Sequence, residues 1–405
     1  MKYVVLLGDG MADYPLPDRG GRTPLQLSRT PAMDRLAAQG ELGLVQTIPA
    51  GMDPGSDVAN LSVLGYDPLR FYSGRAPIEA ASIGVPLAPD DVAFRCNLVT
   101  LGARDGRLWM DDYSAGHIAT ADAAVFIAAL QQQLDGPDIA FYPGVSYRHL
   151  MVWKNGSAGM KTTPPHDISG RAIQDHLPQG EGAARLRQLM ERSMRIFDSL
   201  EANRGRSCPV SSIWLWGQGR PLTLPGFREK YGLTGSVISA VDLVRGLGIC
   251  AGMRVVHVPG ATGYLDTNYA GKAQAALDAL GDSDFVYVHV EAPDEASHKG
   301  SCDEKIRAIE DFDARIVAPV RAGLEERFSD FRLLVLPDHP TPLSLKTHAA
   351  DPVPFVLYAS ANRGRRPVHA GRGYNEQDAA ATGLFITSGW ELMDRFICVK
   401  CGGGK

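Results

Sequence analysis

Unbroken apolar runs, spaced by stretches of helical character, constrain this chain more than any other feature. Tyr3–Leu7 (YVVLL), Ser212–Trp216 (SIWLW), Arg254–Val258 (RVVHV), Phe285–Val290 (FVYVHV), Arg332–Leu336 (RLLVL) and Val353–Tyr358 (VPFVLY) are all of strand length. A strand with one wet face alternates polar and apolar residues, whereas a strand covered on both faces stays apolar throughout. Between these runs lie helix-like segments. In PAMDRLAAQG, Pro31 stands at the start and Gly40 at the end, as helix boundaries favour. Ser239–Gly246 opens on a serine suited to capping, and Asn268–Leu280 and Asp303–Leu324 read likewise. This alternation predicts an α/β fold, a mostly parallel sheet sandwiched by helices.

Residues 86–178 break that rhythm. Shorter, alternating pieces (VAFRCNLVTL, RLWMDDY, IAFYPGV, YRHLMVWK) surround one helix near Asp122–Leu134. We expect an inserted smaller α+β domain at 86–178 within a larger domain formed by 1–85 and 179–405. Glu181–Asn203 reads as a charged amphipathic helix returning to the larger domain. A chain of 405 residues is long enough for two or three cores.

The net charge of −5 and the lack of a basic run argue against nucleic acid or an anionic membrane as partner. An anionic ligand would need a local basic pocket. No apolar stretch approaches the roughly eighteen residues of a membrane span, and MKYVVLLGDG enters a strand without a signal-peptide pattern. The six cysteines (Cys96, Cys208, Cys250, Cys302, Cys398, Cys401) are scattered, which suits a reducing cytoplasm. Cys398 and Cys401 form a CxxC without a second such pair, so they read as an inert tail.

Potential metal ligands fall at four separated places: Asp9 after the first apolar run, Ser56 in PGSD, Asp294 and His298 in EAPDEASH, and Asp338, His339 and His348 in LPDHPTPLSLKTH. In open α/β sheets, ligand sites form beyond the carboxyl ends of the strands, where Asp9, Asp294 and Asp338–His339 would sit. Asp294 and His298 are four residues apart, so on a helix they share one face. A lone Asp after a strand is more often a helix cap. Clusters that support one another point instead to a two-metal centre able to clamp a phosphoryl group. Mixed Asp and His ligation suits Mn²⁺ or Zn²⁺, whereas Mg²⁺ prefers all-oxygen ligation; Mn²⁺ is the expected ion, with Zn²⁺, Mg²⁺ and Co²⁺ as alternatives. Ser56 reads as a helix N-cap and also as a nucleophile, since a nearby metal would activate its hydroxyl.

The pieces LLGDGMADYPLPDRGGRTPLQLSRTPAMDRLAAQG, PGSDVANLSVLGYDP, FYSGRAPIEA, WLWGQG, VPGATGYLDTNYAGKA, HVEAPDEASHKG, LPDHPTP and THAADPVPF resemble the alkaline phosphatase superfamily. Specifically, they resemble its archaeal-type 2,3-bisphosphoglycerate-independent phosphoglycerate mutases, nearly end to end. The resemblance implies an alkaline-phosphatase-like fold and interconversion of 3- and 2-phosphoglycerate through a phosphoserine on Ser56. It assigns Asp294, His298 and His348 to one metal ion, and Asp9, Asp338, His339 and the Ser56 oxygen to the other.

A mutase must also hold a phosphate and a carboxylate. Arg75 in SGRAP, Arg148 in YRHLMV, His166 in TPPHDISGR and Lys272 in NYAGKA are the candidate gripping cations, with arginine suited to bidentate capture. Metals and nucleophile on the large domain, with Arg148 and His166 on the small one, would let closure exclude water. Asp167 or His166 is a candidate acid/base for the glycerate hydroxyls. The oligomeric state stays open. Two departures stand out: SDVAN carries Asn60 where the family commonly has histidine, and SGRAP stands where GRGP is usual. Both resemble a bacterial subgroup proposed to act as homoserine kinases. That activity, or another metal-dependent phosphatase or phosphotransferase, is the alternative. A catalytically dead scaffold would have lost ligands or nucleophile, and all are present.

Overall fold

The computed structural model describes residues 1–364 and 371–398. The chain divides into two compact units, Met1–Tyr72 with Leu224–Lys405, and Ser73–Thr223. Cys401, and with it the Cys398/Cys401 pair, lies outside the described residues. Cys96, Cys208, Cys250 and Cys302 are free thiols. No helix among the described residues is long and apolar enough to cross a membrane.

The first unit is built on one sheet. Its strands run in the order Arg254–Val255, Gly235–Ile238, Phe285–Val290, Lys2–Gly8, Phe331–Leu336, Val353–Ala359, Glu41–Val45, Phe385–Ile386. Val353–Ala359 is antiparallel to both neighbours, and every other pairing is parallel. At the centre, Val5 lies opposite Tyr287 on one side and Leu334 on the other. Phe285–Val290 and Phe331–Leu336 are buried at every position, which explains their unbroken apolar runs. Val4, Leu6, Val288 and Val335 pack on one face with Tyr269, Ala276, Ile309, Phe312 and Leu324 from helices. On the opposite face Tyr287 meets Asn60 of the helix Ser56–Val63, and Tyr3 meets Phe396 of the helix Glu391–Cys398. The expected mostly parallel sheet between helices is present.

Local differences have identifiable causes. Arg254–Val258 pairs only over Arg254–Val255. The expected helix Ser239–Gly246 begins instead at Asp242 and runs to Cys250, because Ser239 Oγ accepts from Val241 N and closes a turn ahead of it. Asp303–Leu324 is not one helix. It comprises Cys302–Phe312, a π-helical turn Asp313–Val317 and Ala318–Arg327. Pro319 donates no hydrogen bond and would crowd the carbonyl one turn back, so the wider turn accommodates it.

The second unit holds an antiparallel sheet ordered Arg107–Asp112, Val92–Arg104, Arg148–Trp153, Ile139–Tyr142, with Ser212–Gly219 also paired to Val92–Arg104. The run Ser212–Trp216 therefore belongs to this sheet rather than to the parallel one. The helix Ala183–Asp198 packs here too: Leu186, Leu189 and Phe197 share a core with Phe94, Phe126 and Trp214. Both features correct the expected boundaries, moving them from 86 and 178 to 73 and 223. An amphipathic stripe shows that a helix has a buried face but not which sheet it covers.

Candidate metal centre

In the first unit, parallel strands deliver polar groups to one edge. Lys2–Gly8 ends at Asp9, Phe285–Val290 leads into the helix Ala292–Lys299 with Asp294 and His298, and Phe331–Leu336 ends just before Asp338 and His339. Asp9, Asp338 and His339 are buried, with one ligand atom from each lying within 4.8 Å of the others. Asp294, His339 and His348 form a second such group, so His339 belongs to both. His298 joins the second: its Nε2 lies 3.0 Å from Asp294 Oδ2 and 3.1 Å from His348 Nε2. The helical i,i+4 expectation for Asp294 and His298 is met.

Electrostatics favour a cation here. Burial, then the charges of Asp338 and Asp294, push the Asp9 carboxyl well above its ordinary range. Asp9 Oδ1 is buried without a hydrogen-bond partner, a costly state that a metal ion would relieve. Burial also opposes ionisation of Asp294, yet His348 and His298 outweigh it and hold that carboxyl well below its usual value. His298 in turn rises to about 9, because its hydrogen bond to Asp294 overcomes burial. Burial lowers His339 to about 4, so it is a neutral imidazole able to ligate. Carboxylates and imidazoles converging in this way fit divalent metal ions.

Ser56 is the first residue of its helix, and Gly55 occupies the cap position. The N-cap alternative for Ser56 is thereby corrected. Its hydroxyl instead lies 3.1 Å from His339 Nε2. Asn60, one turn on, fixes this helix. Its Nδ2 donates to Ser56 O and to Asp338 Oδ2, each at 2.8 Å, and its Oδ1 accepts from Tyr287 at 2.7 Å. His289 lies 3.0 Å from Asp9 Oδ2 through Nε2. Lys272 is fully buried, and its ammonium donates to the His289 carbonyl at 3.1 Å. Burial brings that ammonium down to about 8. Lys272 thus stands behind Asp9's partner.

The second unit carries the remaining candidates. Arg75 begins the helix Arg75–Ser82 after Gly74, where a Cβ would meet the Gln218 carbonyl oxygen at 2.1 Å. Arg75 Nε and Arg95 Nε each lie 2.9 Å from a different oxygen of Glu79. Burial opposes ionisation of Glu79, but Arg95, Arg75 and Arg148 together lower it. Arg95 stacks 4.2 Å above Trp216, and Arg148 lies 5.4 Å from the Tyr147 ring. His166 packs edge-on to Trp216 and Tyr113, with Asp167 Oδ1 3.5 Å from its Nε2. Arg75, Arg148 and Arg95 thus face one carboxylate beside an aromatic and imidazole wall.

The sequence profile described as 2,3-bisphosphoglycerate-independent phosphoglycerate mutase matches residues 37–203. A probable 2,3-bisphosphoglycerate-independent phosphoglycerate mutase of Geobacter sulfurreducens is 56% identical over 402 residues, covering 98% of this chain and 100% of the relative. The 2,3-bisphosphoglycerate-independent phosphoglycerate mutase of Methanosarcina barkeri is 51% identical over 405 residues, covering 99% and 100%. The chain belongs to this family. The solved structure of a Pyrococcus horikoshii protein superposes with a TM-score of 0.80 at 26% identity, covering 100% of this chain and 99% of that one. A cofactor-independent phosphoglycerate mutase from Thermoplasma acidophilum gives 0.64 at 27% identity, covering 98% and 100%.

For this member of the phosphoglycerate mutase family, Asp9, Ser56, Asp294, His298, Asp338, His339 and His348 come together in the first unit. Arg75, Arg148 and His166 lie in the second, and Lys272 is a buried support. Arg95, Trp216, His289, Tyr287 and Thr341 were missed from sequence. Arg95 lies inside an apolar strand, where a buried guanidinium demands a partner, and that was the available signal.

Proposed function

We propose that this chain is a 2,3-bisphosphoglycerate-independent phosphoglycerate mutase, interconverting 3- and 2-phosphoglycerate through a phosphoserine on Ser56. One observation carries the reading: the Ser56 hydroxyl lies 3.1 Å from His339 Nε2, and His339 is shared by both ligand clusters. The names of the relatives at 56% and 51% identity support the substrate.

Two divalent ions, Mn²⁺ first, would be held by Asp294, His298 and His348, and by Asp9, Asp338, His339 and Ser56. When bound they would neutralise charge on the transferring phosphoryl group and on the attacking oxygen. The protein's own groups do the rest. Ser56 Oγ attacks phosphorus, the ester bond to the 3-oxygen breaks, and the glycerate 2-oxygen later takes the phosphoryl group back. The amides of Ser56 and Asp57 at the start of the Ser56–Val63 helix would favour an incoming phosphate, while the next, Val58 N, already donates to Asp57 Oδ1 at 3.0 Å. Asn60 holds Ser56 and Asp338 in register. On the second unit, Arg75, Arg148 and His166 would grip the substrate's anionic groups, with Arg95 bracing Arg75 through Glu79. His166 or Asp167 would move protons on the glycerate hydroxyls.

The test is a coupled assay of metal-stripped protein reloaded with Mn²⁺, using 3-phosphoglycerate and enolase without 2,3-bisphosphoglycerate, beside a homoserine-plus-ATP reaction. Turnover of 3-phosphoglycerate that EDTA abolishes and Mn²⁺ restores is expected. No turnover, with phosphohomoserine formed instead, would overturn the substrate assignment while keeping Ser56 and the ligands.

A further inference from the structure

We infer that Thr341 is the positioning residue that couples the two ligand clusters, tethering Asp294 on one side and fixing the tautomer of His339 on the other. This rests on the metal-centre reading above. Thr341 is fully buried, its Oγ1 2.6 Å from Asp294 Oδ1 and 3.2 Å from His339 Nδ1. A hydroxyl has one proton to give, and an ionised carboxylate only accepts. The Thr341 proton therefore goes to Asp294, and the contact with His339 is Nδ1–H donating to Oγ1. That leaves His339 Nε2 unprotonated. This nitrogen faces Ser56 Oγ at 3.1 Å, Asp338 Oδ2 at 3.4 Å and Asp9 Oδ1 at 3.6 Å. A metal-binding imidazole needs a bare nitrogen on its ligand side and a partner for its other N–H. Thr341 provides that partner while holding a carboxylate of the neighbouring cluster.

The hydroxyl has little freedom to turn away. Pro340 and Pro342 flank Thr341 and restrict its backbone. Its N–H donates to Ala12 O at 3.1 Å, and its carbonyl accepts from the buried Lys305 ammonium at 2.9 Å. Gly10 presses on the same hydrogen bond: a Cβ there would lie 2.6 Å from both Asp294 Oδ1 and Thr341 Oγ1. Valine at 341 would keep the side-chain shape but give His339 Nδ1 no acceptor and Asp294 no donor. Serine would keep the hydroxyl.

The experiment uses the full-length wild type, Thr341→Val and Thr341→Ser. Long-range ¹H–¹⁵N spectra of the metal-free proteins report the His339 tautomer, with His339→Gln for assignment. Calorimetric titration with Mn²⁺ reports affinity. We expect Nδ1–H in wild type and Thr341→Ser, loss of that uniform state in Thr341→Val, and about 10–100-fold weaker Mn²⁺ binding in Thr341→Val alone. Wild-type protein with His339 as Nε2–H overturns the role of Thr341 whether or not any variant folds. So does Thr341→Val with wild-type affinity and tautomer. Wild type that shows Nδ1–H but takes up no Mn²⁺ overturns the metal-centre reading instead.

Discussion

Replacing Lys305 with methionine should destabilise the first unit by a large fraction of its folding free energy. Lys305 and Asp13 have no exposed side-chain surface and meet at 2.8 Å. The ammonium also donates to Thr341 O at 2.9 Å and to Ala12 O at 3.1 Å, so each of its three protons has a partner. Methionine keeps the length of the stem and removes the charge. Asp13 would then retain the amides of Tyr14 and Leu343 but no cation. Ala12 O would still accept from Thr341 N, while Thr341 O would lose the Lys305 donor; the larger cost is the stranded carboxylate. Breaking a buried pair from one side costs about 3–5 kcal/mol, against a typical total of about 5–15 kcal/mol for a domain. Adding Asp13→Asn removes the orphaned charge, and the double variant should regain about 1–3 kcal/mol of that loss. Urea denaturation followed by amide hydrogen exchange separates the units. Amides of Cys302–Phe312 and of Asp338, His339, Thr341 and Leu343 should lose protection, while those of Val92–Arg104 should not. A loss below about 1 kcal/mol for Lys305→Met would refute the reasoning, as would a double variant no more stable than the single.

Ser56→Ala should abolish mutase turnover while leaving the far-UV spectrum and Mn²⁺ stoichiometry close to wild type; substantial residual activity would remove Ser56 as nucleophile. Asn60→Asp sets a carboxylate where an amide now donates to Asp338 and Ser56, so kcat should fall about 10–100-fold with KM little changed; a selective rise in KM would instead give Asn60 a substrate contact. His149 is buried in Arg148–Trp153, and burial lowers it to about 4 from an ordinary 6.5. Its folded value lies below its unfolded one, so the stability it supports is fully present above pH 6.5 and is lost as pH falls toward 4. The second unit should weaken by up to about 3 kcal/mol across that window, and His149→Phe should flatten the slope in urea midpoints measured against pH.

The parallel sheet was legible because burial on both faces leaves a one-dimensional trace, the unbroken apolar run. The ownership of Ser212–Gly219 and Ala183–Asp198 was not. Each has the composition of a buried strand or an amphipathic helix, and nothing local says which of two sheets it joins. The convergence of these acidic and imidazole side chains was legible for a similar reason. Asp9, Asp338 and His339 stand directly after apolar runs, where a parallel sheet collects its functional groups. The split between the clusters was less so: His339 reaches both groups, which no spacing reveals.

Residues acting through others left a fainter signature, yet one was present in Phe285–Val290. Val286, Val288 and Val290 point to one face and pack in the main core, while Tyr287 and His289 alternate with them on the other. Burying a phenol and an imidazole side by side on the central strand of a sheet is unfavourable unless that face holds polar partners. Here it does: Tyr287 donates to Asn60, which ties Ser56 to Asp338, and His289 braces Asp9. Read with a period of two rather than as a continuous apolar run, FVYVHV places a polar site on that face before any ligand is considered. Replacing both Tyr287 and His289 by apolar residues should therefore leave the strand intact and disturb the centre. The corresponding changes at Val286 and Val288, made polar, should do the reverse.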